Sequence, residues 1–97
     1  MNDTIAIERN EDTRRYELTV DGELAGYAEF RSEPGRITFT HTIVRPAYGG
    51  QGLGTRLAKF VLEDAVARGE RIVPKCPFIA AYLRENGGYE ASIDWPA

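Results

Sequence analysis

The 97-residue chain predicts an α+β domain in which an antiparallel meander is followed by helix, strand and helix, all on one mixed sheet. Three observations carry that reading. Before Pro46 the apolar and polar residues alternate with the period of half-buried strands. Over Leu53–Ala67 the apolar residues recur at helical spacing instead. The two regimes meet at a glycine cluster between Gly49 and Gly54. No repeat, low-complexity tract or linker intervenes, so residues 1–97 are read as a single domain of a length that fits one core.

The elements follow in order. Ile5 and Ile7 alternate with polar neighbours over residues 4–8, and Asn10-Glu11-Asp12 makes a turn. Tyr16, Leu18 and Val20 alternate with Glu17 and Thr19 in a second strand. Asp21-Gly22 follows at once, the strongest short hairpin signal. The return strand is expected over residues 23–31, with Gly26 a weak point or bulge. After the turn Ser32-Glu33-Pro34-Gly35 comes a third alternating, β-branched run, Arg36–Val44. In the first helix Leu53, Leu57, Ala58, Val61, Leu62, Ala65 and Val66 recur as the apolar stripe, opposite Arg56, Lys59, Glu63 and Asp64. Asp64 and Arg68 stand at i,i+4, and Gly69 stands at the expected C-terminal cap. Arg71-Ile72-Val73-Pro74 reads as a short strand closed by proline, and residues 78–85 as a shorter helix ending at Gly87-Gly88. Residues 89–93 are expected to add a last short strand.

Composition removes several function classes. Net charge is −3, with a hydrophobic fraction of 42 % and a charged fraction of 28 %, the balance of a globular protein without a basic footprint for nucleic acid. No apolar run approaches the roughly 20 residues that span a bilayer, so no membrane role is expected. The start, MNDTIAIERN, lacks a cationic segment followed by an apolar one, and no signal peptide is read there. Cys76 stands alone, which rules out an internal disulfide and favours a reducing, cytoplasmic setting. With one histidine and one cysteine, no metal site is expected.

The stretch Tyr48-Gly49-Gly50-Gln51-Gly52-Leu53-Gly54-Thr55 lies directly between a strand and an amphipathic helix. Such a turn brings bare backbone N–H groups around an anion, and the helix start adds about half a positive charge. A pyrophosphate suits it. A P-loop requires lysine after the last glycine, where this chain has Thr55 and Arg56. A dinucleotide fingerprint begun at Gly50 or at Gly52 meets Thr55 or Leu57 where its last glycine belongs.

The remaining match is the acetyl-CoA loop of the GCN5-related N-acetyltransferases, whose two glycines fall on Gly52 and Gly54. Val44-x-Pro46, the glycine loop, the helix, the short strand and the last helix stand in the order of that superfamily. Within it the chain resembles the very small stand-alone acetyltransferase-like proteins of about this length, through His41-Thr42-x-Val44-x-Pro46, Gly50-Gln51-Gly52-x-Gly54, and Cys76-Pro77-Phe78 followed by Tyr82. The resemblance implies a minimal fold of that kind. It also implies acetyl-CoA as cofactor, held by Val44, Gly49, Gly50, Gln51, Gly52, Leu53, Gly54 and Thr55. It further implies transfer of acetyl to an exposed amine, in a small molecule or a protein, direct transfer being the superfamily's habit. The alternative is a module that binds CoA or acyl-CoA with weak or no catalysis. Two departures stand out: the superfamily's leading Arg or Gln falls on Gly49, and its helical pair before the second strand is missing.

Three residues are catalytic candidates. Cys76 stands near the superfamily's strand-end asparagine, ahead of a helix N-terminus, as an acetyl acceptor, a pocket wall or a plain core residue. The superfamily's acid tyrosine falls by spacing on Leu83, so Tyr82, one residue away, is the substitute. His41 alternates in phase with Ile37, Phe39 and Ile43, which in a regular strand turns it to the apolar side. The bulge common in this strand of the superfamily would instead set it near the acetyl group as a base. The negative net charge favours a cationic acceptor.

Overall fold

A computed structural model describes residues 4–96; residues 1–3 and 97 of the expected domain lie outside the described residues. Five strands form one sheet: β1 (Ile5–Asn10), β2 (Arg15–Val20), β3 (Glu23–Glu33), β4 (Arg36–Val44) and β5 (Arg71–Pro74), in spatial order β1-β2-β3-β4-β5. The first four pair antiparallel, and β5 runs parallel to β4. Helix α1 (Leu53–Ala67) makes the crossover between β4 and β5, and α2 (Pro77–Glu85) follows β5. Among the described residues no helix is long and apolar enough to cross a membrane.

The meander forms where alternation and turn residues agree. Asp21 and Gly22 both take positive φ, 51° and 87°, as a tight right-twisting hairpin demands. Two bulges break the regularity. In β3 the register slips by one residue between the pairs Leu18↔Gly26 and Thr19↔Leu24. Gly26 is required beside that slip, because a Cβ there would stand 2.7 Å from the carbonyl oxygen of Ile43. In β4 the extra residue is Thr40, lying between the pairs Phe30↔Phe39 and Glu29↔His41.

One face of the sheet holds the core. Tyr16, Leu18, Phe30, Ile37, Phe39 and Ile72 pack there against Leu57, Val61 and Leu62 of α1 and Ile79 of α2, all buried. The other face carries partly exposed Glu17 and Tyr27 with no helix over it among the described residues, and the Arg15 guanidinium lies 4.4 Å from the Tyr27 ring centroid. The superfamily's helical pair between the first two strands is replaced by a turn over residues 11–14.

The edge strand is fastened by Arg9, whose side chain is only 6 % exposed. Its guanidinium donates to both carboxylate oxygens of Glu70, at 2.8 and 3.1 Å, and to the Tyr16 hydroxyl at 3.2 Å. Tyr16 in turn donates to Asp64 on α1 at 2.6 Å. At the other end the expected strand over residues 89–93 is a 3-10 turn, Glu90–Ser92, followed by a single parallel bridge between Ile72 and Ile93. The reason is local: the Glu90 carboxylate accepts from the Gly88 N–H at 2.9 Å and curls the chain. The strands also outrun their expected ends, β1 reaching Asn10 and β3 reaching Glu33.

Candidate functional site

β4 and β5 pair only from Arg36↔Arg71 to Phe39↔Pro74. Pro74 has no N–H to extend the ladder. The Cys76 N–H makes the last link, to the Phe39 carbonyl at 2.9 Å, and the chain then turns into α2. β4 continues to Val44 still paired with β3 but no longer with β5, so β4 and β5 part just where Thr40 bulges.

The bulge inverts the inward and outward alternation over the rest of β4. Ile37 and Phe39 are buried, but beyond Thr40 it is Thr42 and Val44 that turn inward, while His41 and Ile43 turn outward. Thr42 Oγ1 lies 3.3 Å from Cys76 Sγ across the parting, and Val44 packs on the core. His41 therefore leaves the apolar side that a regular strand would give it. Its side chain is 68 % exposed on the open face, with Nδ1 3.9 Å from Glu29 Oε2. Cys76 is a buried free thiol at the residue preceding α2. Cys76 and His41 thus flank one stretch of β4 from opposite faces.

Tyr82 is brought elsewhere on α2. It is half-buried against the core and sits near Tyr89, whose hydroxyl is pushed above its ordinary pKa first by burial and next by Tyr82 and Glu63. Leu83, where the superfamily's spacing falls, is buried.

Past Val44 the chain makes a short 3-10 turn, Pro46–Tyr48, and enters the glycine loop. The Arg45 guanidinium donates to the Leu24 carbonyl at 3.0 Å, and the Tyr48 hydroxyl donates to Glu23 at 2.9 Å, which ties the loop to β3. Gly50 and Gly52 hold left-handed φ of 76° and 71°, with open space where a Cβ would be. Gly52 opens α1; no side chain caps that end, and its first turn carries no acidic residue. The leading N–H groups of a helix have no partner within it, so this uncapped start can receive an anion. Gln51 and Thr55 are exposed, whereas the Leu53 side chain is buried, leaving only its main chain toward the loop. Gly49 has an ordinary extended φ of −65°. Gly54 serves packing: a Cβ there would come within 3.0 Å of the Phe78 ring on α2.

Residues 15–92 match the sequence pattern of the family described as GCN5-related N-acetyl-transferase. The chain belongs to that family. Similar solved structures bear out the fold. The ribosomal-protein-S18-alanine N-acetyltransferase of Escherichia coli superposes with a TM-score of 0.57 at 26 % identity, over 65 % of this chain and 41 % of that one. A GNAT-family protein of Desulfovibrio desulfuricans gives 0.52 at 29 % identity, over 60 % and 40 %. This GNAT chain thus spans about two fifths of the length of those two relatives. A GCN5-like protein of Staphylococcus aureus matches nearly end to end, with a TM-score of 0.69 over 95 % of this chain and 90 % of its own, at 24 % identity, and speaks for the fold alone. No curated protein matches the chain.

Sequence reasoning named His41 and Cys76 but gave no role to Thr42, the neighbour of Cys76, or to Glu29, the neighbour of His41. Both contacts depend on the bulge and on strand pairing, which alternation along one strand does not report. Only the place of Thr42 inside the run His41-Thr42-x-Val44-x-Pro46 hinted at it.

Proposed function

We propose that this GNAT protein is an acetyl-CoA-dependent N-acetyltransferase that moves the acetyl group directly to an exposed amine. The parting of β4 from β5 at Phe39 and Pro74, beside the Thr40 bulge and leading to the uncapped start of α1, is the observation that supports it most. The residues present suit an acyl-CoA. The Gly50, Gln51, Gly52, Gly54 and Thr55 main chain would hold the pyrophosphate at a positive helix end, with Gly49 and Leu53 adding backbone only. Val44 and the unpaired edge of β4 would line the arm between pyrophosphate and thioester. When bound, acetyl-CoA supplies an activated thioester carbonyl.

This chain's residues then divide the proton traffic between two faces. His41, outward on the open face beside Glu29, takes the proton released as the amine nitrogen bonds to the acetyl carbon. Tyr82 is the hydroxyl assigned to protonate the departing sulfur as the C–S bond breaks. Cys76, buried and hydrogen-bonded to Thr42, is a wall of the pocket. The balance is one N–C bond formed, one C–S bond broken, one proton to His41 and one to the CoA thiolate. The sheet's bare outer face favours a second reading, a CoA-binding module without turnover, because among the described residues no helical pair walls an acceptor there.

Calorimetric titration with CoA and acetyl-CoA, followed by thiol release over a panel of amines, tests both. Saturable binding and release above the no-protein background are expected. No binding at millimolar cofactor would overturn both readings; binding with background release from every amine would leave the module.

A further inference from the structure

The open face carries a charge pattern that the acetyl chemistry does not use. Arg14, Arg31 and Lys75 converge on a pocket of about 560 Å³, joined there by the hydroxyl residues Ser32 and Thr38 and by one carboxylate, Glu33. Three separate segments supply the cations. Arg14 ends the β1–β2 turn at φ 57°, and its carbonyl accepts from the Phe30 N–H at 3.0 Å. Arg31 stands opposite Thr38 in the β3–β4 ladder. Lys75 follows Pro74, at the point where the strands part. Among the described residues none of the three has an ion-pair partner. Three exposed cations around one cavity give it a local positive field on a chain of net charge −3, and that field suits an anion.

A second pocket of about 290 Å³ adjoins the first, sharing Arg14 and Arg31, and it ends at Glu29, Thr40 and His41. Glu29 and His41 stand at the bulge, Arg14 and Arg31 line both cavities, and Lys75 stands where β4 and β5 part. Given the acetyltransferase reading, on which this step rests, we infer that the acceptor is a small amine whose far end carries an anionic group, carboxylate or phosphate. Glu29 receives the ammonium end beside His41, and Arg14, Arg31 and Lys75 receive the anion. This local field runs against the cationic acceptor that net charge alone favours.

Matched acceptors test it with the full chain and acetyl-CoA. β-Alanine is compared with β-alaninamide, and O-phosphoethanolamine with ethanolamine, each followed by thiol release. At least a tenfold higher kcat/KM is expected for the anionic member of one pair or both, and the two pairs separate carboxylate from phosphate. In Arg31→Gln/Lys75→Gln the ratio should fall toward unity, as it should for the unaltered chain when salt is raised. Equal or lower kcat/KM for both anionic members, or a ratio the double variant leaves intact, overturns the inference while the acetyltransferase reading stands. If no amine is acetylated, that reading fails, and titration with the product analogues N-acetyl-β-alanine and N-acetyl-O-phosphoethanolamine decides the site. Binding of either that the double variant weakens at least tenfold supports the site; no binding of either overturns it.

Discussion

Thr40 carries no chemistry in the proposed reaction, yet it decides which side chains can take part. By adding one residue to β4 it turns His41 to the open face and brings Thr42 to Cys76. Cys76 Sγ is buried and already engaged with Thr42 Oγ1, a placement that suits a wall better than a nucleophile. Cys76→Ala is therefore expected to keep substantial turnover, and mass spectrometry should show no hydroxylamine-sensitive acetyl adduct on the unaltered protein. His41→Ala should lower kcat by about a hundredfold, the low end of general-base contributions, without changing CoA affinity. An adduct that forms faster than product would reverse the assignment of Cys76.

At the scale of elements, the loop and α1 act as one unit. Gly52 opens the helix in a left-handed conformation with free space beside it, so a methyl group there meets no protein atom. Gly52→Ala is expected to cost roughly 1–2 kcal/mol of stability from the left-handed backbone. It should also weaken CoA binding at least tenfold, about 1.4 kcal/mol, by blocking close approach of the main chain. Calorimetry on the folded variant checks this, and unchanged affinity would contradict the loop assignment. Gly54→Val tests something else, since its side chain would push on Phe78 and disturb the α1–α2 contact. Much of this element structure was legible in the residues. The helix runs over Leu53–Ala67 as its apolar spacing indicates, and Asp21-Gly22 makes its hairpin, because both signals are local. The glycine loop was legible for the same reason. The Thr40 bulge was visible only through family resemblance, since it is fixed by the pairing of β3 with β4 and the early end of β5. The cation cluster was not legible, because Arg14, Arg31 and Lys75 are distant in sequence and meet only in the folded sheet. The strand expected over residues 89–93 gives way to a 3-10 turn, which the Glu90 contact to the Gly88 N–H sets locally.

Over the whole molecule, stability at high pH rests on the join between sheet edge and α1. Burial, then the hydrogen bond to Asp64, raises the Tyr16 hydroxyl well above the ordinary tyrosine range. The fold thus favours the neutral phenol. Its contribution is fully present below the unfolded tyrosine value near ~10 and is lost as pH rises from there through the higher folded value. Urea unfolding from neutral to alkaline pH should show that fall. Tyr16→Phe should flatten it while costing about 1–3 kcal/mol at neutral pH, the typical penalty of leaving buried hydrogen-bonding partners unsatisfied. At the acid end the sign reverses. The Arg15 hydrogen bond holds Glu17 below its usual range, so that contribution exists above the unfolded glutamate value and fades as pH drops through the lower folded one. The bulge, finally, has a consequence for how such a protein can change over generations. Substitution alters what stands at position 41 but never which face that position addresses. Chain length does: losing one codon at Thr40 would turn the histidine inward and Thr42 and Val44 outward in a single event. The reach of this face is therefore set by insertions and deletions, and point changes can only vary the chemistry displayed on it.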